Sequence, residues 1–209
     1  MKILNLYAGI GGNRKLWGDE HDITAVEINE QIAKVYTDYF PNDTLIIGDA
    51  HNYLLEHYDE FDFIWSSPPC PTHSRANYWA NFADNRTINY PDMKLWQEII
   101  LLKHYYKGKW TVENVVPYYE PLVKETKQIG RHLFWANFMI TGYKETWSFK
   151  ECDRCIDLEP RFGYDLSGYK LQKKLQVLRN TVQPETGLHI LNRAMDIIED
   201  SKVNQITLF

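Results

Sequence analysis

The chain has 209 residues, 44% hydrophobic and 24% charged, a balance that fits one folded domain and excludes a disordered polymer. No run approaches the ~20 apolar residues that span a bilayer; three cysteines give no disulfide framework and point to a reducing compartment. A net charge of −5 argues against a protein that coats nucleic acid non-specifically, but leaves room for a local basic face.

The opening segment MKILNLYAGIGG, with one lysine and a short apolar run, predicts a strand over 2–7 and a glycine turn, not a signal peptide. A short helix through Leu16 and Trp17 is expected next, then a strand over 22–28. In residues 29–40, Ile32, Val35, Tyr36 and Tyr39 recur with helical spacing. DTLIIGDA predicts a third strand, HNYLLEHY a short helix, and FDFIWSS a fourth strand that runs into Pro68, Pro69 and Cys70. Residues 71–89 show no clear period and are expected to form a long loop. A helix over 90–106 follows, with Pro91 near its first turn and Leu95, Trp96, Ile99, Ile100 and Leu102 as its apolar stripe. KWTVENVV predicts a fifth strand.

Alternation of this kind predicts an α/β fold, a mostly parallel sheet with helices on both faces, whose ligands gather at the carboxyl ends of the strands. Gly9–Gly12, Glu27, Asp49, Cys70 and Glu113 all fall at such ends. A packing role alone does not account for that coincidence. Singly, each is ambiguous. AGIGG lacks the spacing of a dinucleotide fingerprint and can be an ordinary tight turn. Glu27 stands where an acidic residue takes ribose hydroxyls, and Asp49 can accept from an exocyclic amine, but each can equally be a solvated loop residue or helix cap. Together they point to a nucleoside-bearing cofactor. The two prolines stiffen the backbone before Cys70, which suits a nucleophile and equally a rigid surface turn.

The set LYAGIGG, VEIN, GDA, SSPPCPTHS, ENVV and RNTV, in this order, resembles the DNA cytosine-5 methyltransferase family over residues 1–141 and 179–199. The resemblance implies a Rossmann-like class I methyltransferase with S-adenosylmethionine as cofactor. Its binding residues would be Tyr7, Ala8, Gly9, Ile10, Gly11, Gly12, Glu27, Ile28, Asp49, Ala50 and Pro68, with Asn180 from the C-terminal segment. It also implies that Cys70 attacks C6 of cytosine so that C5 can take a methyl group, and that Glu113 faces N3 and the exocyclic amine. A stacked base is out of reach, so the cytosine must be flipped out or single-stranded.

Three features depart from the family. Its usual Arg-x-Arg pair falls on Gly130 and His132, with Arg131 between them as the candidate substitute. Arg179 stands where glycine is usual before Asn180. Residues 142–178 are far shorter than the usual target-recognition domain, so the expected division is a catalytic domain over 1–141 and 179–209 with a reduced recognition insert between. That insert holds a lone C-x-x-C, read as two reduced cysteines and no metal site, because structural zinc needs four ligands. It ends in a lysine-rich stretch, read either as a solvated helix face or as phosphate contacts. Candidate nucleic-acid contacts are Ser74, Arg75, Arg86, Lys170, Lys173, Lys174 and Arg179, and Tyr78 and Trp79 either close over the nucleic acid or pack the loop down.

The expected activity is methylation of DNA at cytosine C5, in a bacterial or phage-infected cytoplasm and a restriction–modification setting. The rivals are the same chemistry on RNA, and a module that binds cofactor and nucleic acid without turnover.

Overall fold

The computed structural model describes residues 1–82, 88–143 and 154–196. Strands β1 (Lys2–Leu6), β2 (Asp22–Glu27), β3 (Thr44–Ile47), β4 (Phe63–Ser66) and β5 (Lys109–Val115) are joined by β6 (Lys127–Ile129) and β7 (His132–Ala136) in one seven-stranded sheet. Its order is β3-β2-β1-β4-β5-β7-β6; β1 to β5 run parallel and β7 runs antiparallel to β5. The fold is thus the expected Rossmann-like α/β architecture. The chain winds outward from β1 in one direction to β3 and from β4 in the other, so a topological switch point lies between β1 and β4. The glycine turn leaves β1 and the Pro-Pro-Cys segment leaves β4, one on each side of that crevice.

Helices α1 (Glu30–Tyr39), α2 (Ala50–His57), α3 (Arg75–Ala80), α4 (Lys94–His104), α5 (Cys155–Phe162), α6 (Lys174–Asn180) and α7 (Pro184–Ala194) cover the sheet. On one face, Leu95, Trp96, Ile99 and Leu102 of α4 pack with Leu54 of α2 against Leu4, Leu6, Ile64 and Val112. On the other, Ile190 and Leu191 of α7 pack with Trp17 against Ile3, Phe63, Trp65 and Phe134. Strands buried on both faces read as near-continuous apolar runs, as FIWS does.

Four expectations change. Residues 13–19 form turns, not a helix: Lys15 N–H donates to Gly12 O and Trp17 N–H to Arg14 O, and so short a segment cannot offset helix nucleation. Conversely, the loop over 71–89 contains α3, whose start is capped by Ser74 accepting from Asn77 N–H. Six residues are too few to show a helical period. α4 begins at Lys94, leaving Pro91 outside the helix. In DTLIIGDA the strand ends at Ile47 because the Asp49 side chain caps α2.

The α5–α6 segment buries Leu158, Phe162, Tyr164, Leu166 and Leu178 against Ile10 and Val35. The Tyr164 hydroxyl donates to Ile10 O at 2.7 Å. The α5–α6 segment is therefore packed onto α1 and the glycine turn.

Candidate active site

The glycine turn starts from a strained residue. Tyr7 has φ +55, rare for an aromatic residue, and its hydroxyl donates to Glu98 Oε1 at 2.6 Å. Gly9 has φ +57, open space where a Cβ would stand, and an N–H that donates to Glu27 Oε2 at 2.9 Å. Gly12 admits nothing larger, since a Cβ would come within 2.2 Å of Thr181 Cγ2 and 2.4 Å of Val182 O. That contact brings the segment after Asn180 onto the turn; Asn180 itself is the exposed last residue of α6.

Glu27 also accepts from Asn29 N–H through Oε1 at 2.9 Å, so two backbone donors fix its carboxylate and each oxygen keeps a lone pair. Asp49 accepts from Asn52 N–H at 3.1 Å and from Lys94 Nζ at 3.2 Å. The Asn52 N–H, and then Lys94, hold its carboxyl below the usual range. Ile28 is exposed beside Glu27, Ala50 is buried at the start of α2, and Ala8, Ile10 and Pro68 are buried around the crevice. The open space at Gly9, with one carboxylate free to take a diol and another an exocyclic amine, fits a nucleoside-bearing group such as S-adenosylmethionine.

Two serines split the next segment between two carboxylates. Ser66, on β4, donates to Glu98 Oε2 at 2.6 Å, whereas the following Ser67 hydrogen-bonds to Glu113. Side chains alternate along an extended chain, so neighbours serve opposite sides. Asn114 uses the same alternation: Glu113 lies near enough for its charge to act on the Cys70 thiol, while Asn114 Nδ2 donates to Pro68 O at 2.9 Å and pins the Pro-Pro segment. The Cys70 carbonyl accepts from His73 N–H and Ser74 N–H in a tight turn.

Glu113 is buried. Burial pushes its carboxyl up to about 7, against the pull of Ser67 and Arg131. Burial first, and the Glu113 charge second, push the Cys70 thiol up to about 11, while Arg131 favours the thiolate. His132 Nε2 lies 3.6 Å from Glu113 Oε1, an ion-pair distance, but burial and the adjacent Arg131 push the imidazole down to about 3, so it is neutral there. Arg131, exposed at the β6–β7 turn, donates to the Arg179 carbonyl and so ties α6 to the site. A groove of about 460 Å³ opens here, lined by Ser74, Arg75, Val115, Val116, Gln128 and Arg131.

Of the candidate nucleic-acid contacts, Ser74 and Arg75 line this groove, and Lys170 and Lys173 are exposed on the α6 side. Lys174 is turned inward instead, donating to Leu166 O at 2.6 Å. Its ammonium shares that carbonyl with the Tyr169 N–H, which donates to it at 3.2 Å. Arg86 and Cys152 lie outside the described residues. Among the described residues no group of three His, Cys, Asp or Glu is placed to hold a metal ion, and no helix is long and apolar enough to cross a membrane.

Sequence reasoning missed three residues here. Glu98, fully buried on α4, accepts from Tyr7, Ser66 and also His51 Nδ1 at 2.9 Å, and thereby joins the ends of β1 and β4 to α2. One signal was available: a lone acid inside the apolar stripe of a helix is buried only when paired. Lys94 and His132 carried no such signal, because one looks like any exposed helix-start lysine and the other like any strand residue.

A family model described as C-5 cytosine-specific DNA methylase matches residues 1–150. The chain is similar to the tRNA (cytosine(38)-C(5))-methyltransferase of Mus musculus, 29% identical over 96 residues, 43% of this chain and 23% of that protein. It is similar also to the Type II methyltransferase M.Bsp6I of Bacillus sp. (strain RFL6), 32% identical over 90 residues, 42% of this chain and 28% of that one. Among solved structures, a mutant of Spodoptera frugiperda DNMT2 is 30% identical with a TM-score of 0.37, covering 55% of this chain and 35% of that chain. The matched stretch thus spans about a quarter of the length of the two curated relatives.

Proposed function

The chain belongs to the C-5 cytosine-specific DNA methylase family, and from that premise we propose that it methylates C5 of cytosine in DNA through a covalent Cys70 adduct. The observation that carries this reading is the placement of Cys70 on a pinned Pro-Pro segment against buried Glu113, with Arg131 acting on both. Glu27 and Asp49, with Tyr7–Gly12, Ile28, Ala50, Pro68 and Asn180, would hold S-adenosylmethionine, which when bound supplies an electrophilic methyl group.

The residues act in sequence on the base. With a carboxyl pushed up to about 7, Glu113 carries a proton in much of the protein at neutral pH and can donate it to cytosine N3. While Glu113 holds its proton it carries no charge against the Cys70 thiolate, and once that proton is on N3 the cationic ring draws the thiolate to C6. The thiolate adds to C6, the ring electrons become available at C5, and the proton taken by N3, with Arg131 nearby, offsets the charge the sulfur brings. After C5 takes the methyl group, a solvent water acting as base removes its proton, the C5–C6 double bond re-forms as the Cys70 sulfur leaves as thiolate, and N3 returns its proton to Glu113.

Residues 1–141 and 179–209 would form the catalytic domain and residues 142–178 a reduced recognition segment, with Ser74, Arg75, Lys170, Lys173 and Arg179 as phosphate or base contacts. The Bacillus relative supports a DNA substrate in a bacterial restriction–modification setting, and so a cytoplasmic enzyme. The same chemistry on RNA is the second reading, favoured by the similarity to a tRNA methyltransferase. Oligonucleotides carrying 5-fluorocytosine, whose C5 bears fluorine in place of the proton that must leave, should trap the protein covalently when S-adenosylmethionine is present. Trapping on DNA alone supports the first reading and trapping on RNA alone the second. A protein that binds both cofactor and nucleic acid but traps on neither is the module without turnover.

A further inference from the structure

Beyond the groove, α3 and the segment after it carry aromatic side chains that the core does not use. Trp79 is 70% exposed, Phe82 68% and Tyr90 76%. They lie together: Tyr78 meets Trp79 and Phe82 edge-on at 5.7 and 5.1 Å and stacks on Tyr118 at 4.5 Å. Asn81 and Asn89 bond each other, and the Thr72 hydroxyl accepts from Asp92 N–H, which folds the segment around Tyr90 back along α3. This face is continuous with the groove, since Ser74 and Arg75 begin the same short helix and line it.

We infer that this face is a stacking platform for unpaired bases flanking the target cytosine, so the substrate is a single-stranded or looped nucleic acid, not a continuous duplex. The inference rests on the proposed reaction and specifies its substrate. Exposed aromatic rings beside a groove that holds Arg75 and Arg131 match the bases and phosphates of a single strand. In a duplex the same rings meet no open base face without unstacking, at a few kcal/mol per step. The net charge of −5 provides no broad positive field for any nucleic acid, so affinity must come from local contacts such as this face.

The test is equilibrium binding of dye-labelled 12-mers containing one cytosine, as single-stranded DNA, single-stranded RNA, and the same sequences paired, to the full chain and to Trp79→Ala. Circular dichroism and cofactor binding check that the variant is folded, and Tyr90→Ala repeats the measurement at the far end of the face. Single strands should bind about ten-fold or more tighter than duplex, and Trp79→Ala should remove about ten-fold of that affinity while leaving duplex and cofactor binding unchanged. The DNA and RNA arms identify which strand is taken. Equal or tighter duplex binding overturns the inference, as does an unaltered Trp79→Ala, or a face that pairs protein copies in sedimentation and binds no strand. The two levels separate cleanly. Covalent trapping on duplex alone leaves the reaction standing and removes the platform, whereas Trp79-dependent single-strand binding without trapping does the reverse.

Discussion

At the scale of single residues, the proposed chemistry turns on how Glu113 and Arg131 set the Cys70 thiol. Burial is the larger cause of its raised pKa and the Glu113 carboxylate the second, with Arg131 opposing both. Glu113→Gln removes a negative charge, so the thiol should titrate below about 11, whereas Arg131→Ala should raise it further. The pH dependence of iodoacetamide labelling, read on the Cys70 peptide by mass spectrometry, checks both signs. Equal titration in all three proteins would mean that the groups do not interact. In the proposed site, two other carboxylates would hold the cofactor. Glu27→Ala should weaken S-adenosylmethionine by about 1–3 kcal/mol, the cost of losing charge-assisted hydrogen bonds. Asp49→Ala should cost less, because its carboxylate is more exposed and already paired with Lys94. Calorimetry that finds no change in either variant would place the cofactor elsewhere.

Among elements, the site depends on how strand ends are tied together. Glu98 on α4 holds Tyr7 after β1, Ser66 on β4 and His51 of α2 with one carboxylate. Glutamine cannot accept all three bonds, and its amide turns a donor toward a donor. Glu98→Gln should therefore cost about 1–3 kcal/mol of stability. It should also weaken cofactor binding and change the rate of Cys70 alkylation, two readouts on opposite sides of the switch point. A loss of stability with both readouts unaltered would reduce Glu98 to a packing residue. This network also marks how much the sequence discloses. Residues at or just beyond strand ends, Glu27 closing β2 and Cys70 following β4, are legible because strand ends can be read from apolar runs. Glu98 sits mid-helix in an apolar stripe, where only its charge betrays it. The α3 cap is invisible to periodicity but present in Ser74, and the packing of α5–α6 on Ile10 is a long-range fact that no local pattern carries.

For the whole molecule, the pH dependence of stability follows from the two buried groups of the site. The folded-state pKa of Glu113 is raised to about 7 from 4.5, so the folded chain binds more protons than the unfolded one between those values, and stability falls as pH rises through about 7. The folded-state pKa of His132 is lowered to about 3 from 6.5, so stability falls as pH drops below about 6.5. Glu113→Gln removes only the first effect. Its melting temperature should exceed that of the parent chain at pH 8, and the two should nearly coincide at pH 5. Calorimetric scans at the two pH values decide this, and an advantage confined to pH 5 would reverse the assignment. Longer-range organisation was the most legible part. The alternation of strand and helix runs is enough to place the ligand crevice, whereas the antiparallel β6–β7 hairpin that presents Arg131 and His132 emerges only from pairing with β5.

The most direct measurement of the whole account is transfer of a labelled methyl group from S-adenosylmethionine to cytosine-containing oligonucleotides, in single- and double-stranded forms, by the full chain and by Cys70→Ala with cofactor affinity measured alongside. The parent chain should label C5 of cytosine, and Cys70→Ala should bind cofactor nearly unchanged and transfer nothing. Methylation by Cys70→Ala, or methyl groups found on an atom other than C5, would contradict it.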